Sequence, residues 1–268
     1  MVPEHEVHAW RPPVAGVREV LHARFHEHGY PPHTHETWAV LIVDDGAITY
    51  DLDRRSHGTT GGTVTLLPPH VVHDGRPAGN AGFRKRVLYL DARVLPEELA
   101  GRAVDRPAIH DAALRRAVAG LHRRLAPGGD AAAAEGPLAL VTERLTSWLA
   151  DRRPPPAPGG PPGPAARRLA GALRDLLDAD VPAGLSLAEA SAVLGADPAV
   201  LVRAFSATFG ITPHAYLVGR RLELARSLLL AGVRPAAAAT AAGFYDQAHL
   251  NCHFRRFLAT TPGRFVAT

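Results

Sequence analysis

The chain has 268 residues, room for two modest domains, and its apolar share is ordinary for a globular protein. No apolar run approaches the roughly 18 residues that span a bilayer, Met1 to Glu6 lacks the basic and apolar regions of an export signal, and the single cysteine, Cys252, excludes an internal disulfide framework. The formal charge of +4 lies wholly in residues 165–268, where eleven Arg face seven acidic residues, while residues 1–164 balance at nineteen and nineteen. A protein of the reducing cytoplasm is expected, with no membrane association and a polyanionic partner for its back half.

From the front, residues 14–91 read as strands. Val17 to Phe25, Thr37 to Val43, Ala47 to Leu52, Val64 to Leu67 and Phe83 to Leu90 are short apolar or alternating runs. Turn signals separate them: Asp44-Asp45-Gly46, Gly61-Gly62, Pro68-Pro69 and Asp74-Gly75. Many short strands with close turns predict a small β-barrel or jelly roll.

Helical spacing follows over 111–125, with Leu114, Val118, Leu121 and Leu125, and over 137–150, with Leu138, Val141, Leu145, Trp148 and Leu149. This pair suits either a dimer interface or a helical cap on the front core. The run Arg152 to Pro164, almost all Pro, Gly and Ala after its two arginines, predicts an exposed linker with neither helix nor sheet. The expected organisation is a front domain over 1–150, a linker over 151–164 and a back domain over 165–268.

The back domain carries one pattern twice. Asp197-x-Ala199-x-Leu201-x-x-x-Phe205 returns as Asp246-x-Ala248-x-Leu250-x-x-x-Phe254. In each copy the Asp suits a helix N-cap, and Leu and Phe lie four apart on one face. Each follows an Ala-rich segment ending in Gly, at Gly195 and Gly243. Helix, tight turn and second helix outline a DNA-reading helix-turn-helix, here in tandem. Ser186 to Glu189 forms a capping box opening the first unit. Thr212-Pro213 starts a helix to about Leu230, long enough at about 28 Å to hold two reading helices in grooves about 34 Å apart. Pro235 opens a short helix, and Asp246 starts the last, through Leu258.

In the first reading helix Leu201, Phe205 and Phe209 turn inward, leaving Ala199, Val202, Arg203 and Ser206 outside. Arg203 can pair with guanine O6 and N7, while Ala199 and Val202 can touch only a thymine methyl. In the second, Leu250, Phe254 and Phe257 turn inward. Gln247, His249, Asn251, Cys252, Arg255 and Arg256 are left outside, with Gln247 and Asn251 suited to adenine and the two arginines to phosphates.

These residues resemble the AraC/XylS family of transcriptional activators. The likeness is densest in Phe209 to Leu217, Arg220 to Leu229, Ala241 to Leu250, and Phe254 to Phe257 with Thr261-Pro262. The resemblance implies two helix-turn-helix units joined by a long helix on adjacent major-groove segments near promoters. By position, it puts base reading on Ala199, Val202, Arg203, Gln247, His249, Asn251 and Cys252. Cys252 stands where family members often have Arg, and Ser206 where a basic phosphate contact is common. Both departures remove positive charge from the DNA face. Cys252 as a redox sensor is a competing reading.

Residues 30–91 resemble the cupin-like sensor domain that precedes the DNA-binding part in many members, through Tyr30 to Trp38 and Gly61 to Gly75. By that likeness His33, His35 and His73 occupy three of four metal positions of enzymatic cupins. The fourth, a Glu, is missing: Glu36 follows His35 directly and faces the other way. Three imidazoles can still hold zinc or iron(II), so these histidines are metal candidates. The leading reading is an effector pocket of Tyr30, His33, His35, Trp38, Tyr50 and His73, or histidines that simply finish the barrel mouth. His5, His8, His22, His26 and His28 are expected on the solvated surface.

The expected fold is α+β in two domains, a cupin-like β-barrel with a helical dimerisation or linker segment, then an all-α tandem helix-turn-helix. The expected function is that of a sequence-specific DNA-binding regulator of the AraC type, not an enzyme and without cofactor. A small-molecule effector controls it, and double-stranded DNA, RNA polymerase and a second copy are its partners. A metal-dependent cupin enzyme with a DNA-binding tail is the alternative, and a sequence-indifferent nucleoid binder is a third reading.

Overall fold

The computed structural model describes residues 5–150 and 163–266. The front half holds nine antiparallel strands: β1 (Glu6–Trp10), β2 (Val17–Phe25), β3 (Tyr30–His33), β4 (Trp38–Leu52), β5 (Arg55–Thr60), β6 (Val64–Leu67), β7 (His73–Pro77), β8 (Phe83–Leu90) and β9 (Ala108–Ile109). They pair in the order β1-β2-β8-β4-β6-β9, with β5 and β7 also on β4 and β3 on β7. Strand β4 explains the roll of the sheet. Its first half pairs with β6 and β8, a register break falls between Val43 and Asp45, and its second half pairs with β5 and β7. A bulge bends a strand and raises its twist, and here it carries one strand around both sides of the sheet.

Both faces of this sheet are covered, so β4 opens as an unbroken buried run rather than alternating. Ala39, Leu41 and Val43 face the inside of the roll with Phe25, Tyr50 and Val87. Trp38, Val40 and Ile42 face outward, against helices α2 (Ala112–Leu125) and α3 (Glu135–Ala150), which follow the short α1 (Ala100–Asp105). Asp111 caps α2 through the N–H groups of Ala113 and Leu114, at 2.7 and 3.0 Å. The stripes Leu114, Val118, Leu121, Leu125 and Leu138, Val141, Leu145, Leu149 are consumed by this packing. The helical-cap reading of the pair is thus built.

The back half holds α4 (Pro164–Ala179), α5 (Leu187–Leu194), α6 (Pro198–Phe209), α7 (Pro213–Leu230), α8 (Pro235–Ala241), α9 (Gln247–Leu258) and α10 (Pro262–Val266). Pro164, read as linker, instead opens α4 at a position where its missing N–H costs nothing. The rest of the linker reading, residues 151–162, lies outside the described residues. Leu173 and Leu177 of α4 pack with Leu201, Phe205, Tyr216 and Leu217 into the core of the first unit.

The second unit does not close on itself. Val218, Leu222, Ala225 and Leu229 of α7, with Phe244, Leu250, Phe254, Leu258 and Phe265, share one continuous core with the inner face of the sheet. Charged groups line the same junction. Arg226 of α7 pairs with Glu19 of β2. Arg220 pairs with Glu36, with Glu223 at 2.6 Å and with Asp178 of α4 at 2.9 Å. His28 donates to the Phe257 carbonyl at 3.2 Å, and Arg54, in the β4–β5 turn, donates to the carbonyls of Ser206 and Ala207.

Four of the five surface histidines therefore change, and only His8 is exposed: His5 is half-buried against Phe25 and His28, and His26 is half-buried beside His5. His28 is half-buried because the back domain covers it, and His22 because α2 does, with His22 Nε2 3.2 Å from His122 Nδ1. Among the described residues no single helix is long and apolar enough to cross a membrane.

Because Glu19 and Arg226 are both largely buried, Glu19→Gln or Arg226→Ala alone should cost about 3–5 kcal/mol by stranding the other charge. The double variant Glu19→Gln/Arg226→Met should recover more than half of that loss in urea unfolding.

Candidate functional site

The first reading unit is assembled by local chemistry. Ser186 and Glu189 exchange hydrogen bonds in a capping box, and α5 stops at Gly195 in the left-handed conformation. Asp197 then caps α6 through Ala199 N–H at 2.8 Å. The two helices meet at 93°, within the range of helix-turn-helix motifs. Leu201, Ala204 and Phe205 are buried, Ala199 and Arg203 are exposed, and Val202 is half-buried.

The second unit repeats the plan. α8 ends before Gly243, whose φ is +85° and where a Cβ would collide with the Pro182 carbonyl. Only glycine fits there, so the second turn seats against the segment after α4. Asp246 caps α9 through His249 N–H at 2.7 Å. Leu250, Phe254 and Leu258 are buried, while Phe257 is half-buried at the junction against His33. Gln247, His249, Cys252, Arg255 and Arg256 are exposed and Asn251 is half-buried. The His249 ring lies along the helix, its Nε2 3.1 Å from His253 Nε2.

Ser206 departs from expectation. Its hydroxyl is buried without a partner, and its carbonyl takes Arg54. Docking of the β4–β5 turn on the end of α6 turns this residue away from the outer face. Tyr245, 90 % exposed beside the cap of α9, was not singled out from the sequence.

Inside the rolled sheet lies a cavity of about 40 Å³, lined by Tyr30, His33, His35, Tyr50 and His73 among others. Five of the six expected pocket residues thus surround one space. Trp38 does not: the pleat points it outward into the helical cap, where Nε1 donates to the Ala92 carbonyl at 3.2 Å. His35 and Tyr89 also line a larger cleft of about 460 Å³ between the two domains.

The three clustered imidazoles share a tautomer. His33, His35 and His73 each donate Nδ1–H to a backbone carbonyl two residues away, at Pro31, Thr37 and Val71, with distances of 2.8, 2.7 and 3.0 Å. A carbonyl can only accept, so each Nε2 keeps its lone pair. Burial holds all three below the usual imidazole range, His73 at about 4. Among the described residues no group of three His, Cys, Asp or Glu has the geometry to hold a metal ion. Glu36 is engaged elsewhere, with Arg220.

Lys85 also lines this cavity, outside the residues expected there. It is the sole lysine among 30 basic residues, set at an inward position of β8 between Phe83 and Val87. A charged residue on the apolar side of an alternating strand was the available signal.

Residues 16–145 match the family of AraC-like ligand binding domains, and residues 190–268 match a helix-turn-helix domain family. A probable transcriptional regulator of Photobacterium leiognathi, LumQ, is 33% identical over 82 residues, covering 30% of this chain and 33% of that protein. The chain spans a third or less of the length of the curated relatives it matches. Among solved structures, ToxT from Vibrio cholerae O395 superposes with a TM-score of 0.60 at 10% identity, over 99% of both chains. Unsaturated fatty acid-bound wild-type ToxT from strain SCE256 gives 0.56 at 11% identity, over 98% of this chain and 95% of that one.

Neutral imidazoles buried in the fold must take up protons when the chain unfolds in acid. Their folded pKa lies below the unfolded value near 6.5, so the stability they lend is present above pH 6.5 and is lost as pH falls below it, through about 4 for His73. The urea midpoint should drop across that window, by up to about 1.4 kcal/mol per pH unit for each such histidine. His73→Gln should flatten the slope.

Proposed function

The chain belongs to the AraC/XylS family of transcriptional regulators, and we propose that it binds a specific double-stranded DNA sequence under control of a small effector held in its sheet domain. The observation that carries this is the pair of capped helices, α6 and α9, on either side of α7, with Arg203 exposed on the first and Gln247, His249, Arg255 and Arg256 exposed on the second. That helix has 18 residues, hence a length of about 27 Å. With the width of the flanking helices this suits two successive major-groove segments about 34 Å apart.

Arg203 reads a guanine, Gln247 and Asn251 read adenine or the backbone, and Arg255 and Arg256 hold phosphate. Cys252 adds no charge to the face. The effector occupies the cavity around Tyr30, His33, His35, Tyr50 and His73, in line with the ligand-bound state of the structurally similar ToxT. Two copies pair across the outward faces of α2 and α3, where Leu140 is 45% exposed, and bound protein contacts RNA polymerase as an activator in the cytoplasm. An effector acts only through a difference in affinity between two arrangements of the domains.

Footprinting of the full-length protein on genomic DNA should recover discrete promoter sites. Arg203→Ala should relax preference at one or two base pairs, costing about 1–3 kcal/mol there. Arg255→Ala and Arg256→Ala should weaken all sequences alike and lower the salt slope by about one. Unchanged preference after the Arg203 substitution would remove α6 from base reading. Binding indifferent to sequence would instead make the protein a nucleoid-type binder.

A further inference from the structure

Lys85 is buried in the cavity of the rolled sheet, with its ammonium 4.0 Å from the centre of the Tyr30 ring. No carboxylate pairs with it among the described residues, although every other basic residue of the chain is an arginine. The carboxylate of Asp74, on the cavity wall, is taken by Asp51 N–H at 2.7 Å and by Arg76. Three more polar atoms around the cavity are buried without partners: the Tyr30 hydroxyl, His35 Nε2 and the Thr59 hydroxyl. Unmatched buried polar groups that share one space are the mark of a site completed by a ligand.

We propose that this site takes a small organic acid, its carboxylate on Lys85 and its body extending past His35 and Tyr89 into the interdomain cleft. The proposal rests on the effector-pocket reading above and names the chemical class.

Size and charge select this class. The inner cavity, at about 40 Å³, has room for on the order of three waters, which suits a carboxylate and its first carbons. A single cation matches one negative charge, whereas a phosphate would call for a second. A neutral polyol would meet the uncharged amine and gain no charge-assisted bond from it. The cleft of about 460 Å³ that shares His35 and Tyr89 supplies apolar wall for the rest of the molecule, through Val181, Leu224 and Leu230.

The choice of lysine over arginine has the same explanation. A guanidinium stays charged when the site is empty, at a heavy desolvation cost, but an amine can release its proton and regain it with the ligand. Burial, with Arg226 nearby, holds the free Lys85 amine at about 7. The other groups facing it are Tyr30 and His33 of β3, His35, Tyr50 of β4, His73 and Asp74 of β7, and Tyr89 of β8. The tyrosines and histidines among them are neutral between pH 7 and 9, because burial raises the former and lowers the latter.

Since the chain has one lysine, full-length protein labelled in its lysine side chain gives a single resonance from the buried amine. The probes are sodium benzoate and sodium octanoate, ionised throughout pH 6–9, against benzyl alcohol and octan-1-ol. The acids should bind at least tenfold more tightly than the alcohols. Saturating acid should move the lysine titration midpoint up by a unit or more, and acid affinity should fall toward tenfold per pH unit above pH 7. Lys85→Met should lose at least tenfold in acid affinity and keep its affinity for the alcohols.

Acids binding no better than alcohols, an unmoved lysine midpoint, or full acid affinity in Lys85→Met would each overturn the assignment. Should Lys85→Met fail to fold, the lysine resonance of the parent protein decides alone. If the alcohols perturb tyrosine and histidine signals of the cavity while acids have no advantage, the pocket stands and the carboxylate class falls. If no probe perturbs them, both fall.

Discussion

Everything in the molecule is referred to one helix, α7, and to the arginines it buries. Arg220 joins three elements at once, α4 through Asp178, α7 itself through Glu223, and the sheet domain through Glu36. One turn and a half further on, Arg226 enters the sheet domain to meet Glu19, its guanidinium 5.0 Å from the Tyr89 ring and 5.8 Å from that of Phe265. The rod that sets the spacing of the two reading helices is therefore also the surface on which the sheet domain docks. A buried ion pair gains little net stability, because desolvation offsets much of the attraction; burial indeed raises the Glu19 carboxyl despite the arginine beside it. What the pairs supply is register. Apolar packing between Leu222, Phe254 and the sheet interior would tolerate sliding, whereas an arginine held by a carboxylate on the facing element would not.

How much of this was legible depended on whether the signal was local. The caps at Ser186, Asp197, Thr212 and Asp246, and the left-handed stops at Gly195 and Gly210, lie within a few residues of what they control, and the helices begin and end where those residues direct. Strands β2, β6 and β8 were equally plain as apolar runs. Strands β3, β5 and β7 were not, because His33, His57 and His73 give them no apolar pattern; they exist through pairing with β4 and each other. Helix α4 was missed because its opening Pro164 reads as the end of a proline-rich run.

The misplaced site residues share a different cause. Trp38 belongs by sequence to the histidine-rich segment, but alternation from Ala39 sends it to the opposite face, and only the helical cap shows that this face is also apolar. Ser206 and His28 stand outside when each element is taken alone, and domain docking leaves both half-buried. Lys85 was passed over because a lone charge in a strand is ordinarily a solvated one; its meaning depends on β8 being central and covered on both sides.

These placements bring the cavity of the rolled sheet and the paired helix-turn-helix units into one physical chain. Tyr89 lines both the inner cavity and the cleft, and it lies under Arg226. Arg226 lies on the helix that fixes the distance between α6 and α9, and the β4–β5 turn touches the end of α6 itself through Arg54. A molecule filling the cavity would alter the field at Arg226 and the packing of Tyr89. Contiguity alone does not make a switch. It becomes one only if an arrangement with the sheet domain undocked differs in ligand affinity from the docked one. The junction has the composition such a change requires. Its charged partners, Glu19, Glu36, Arg220 and Arg226, are groups that water can solvate again once the domains part, so separation exposes apolar surface but strands no charge.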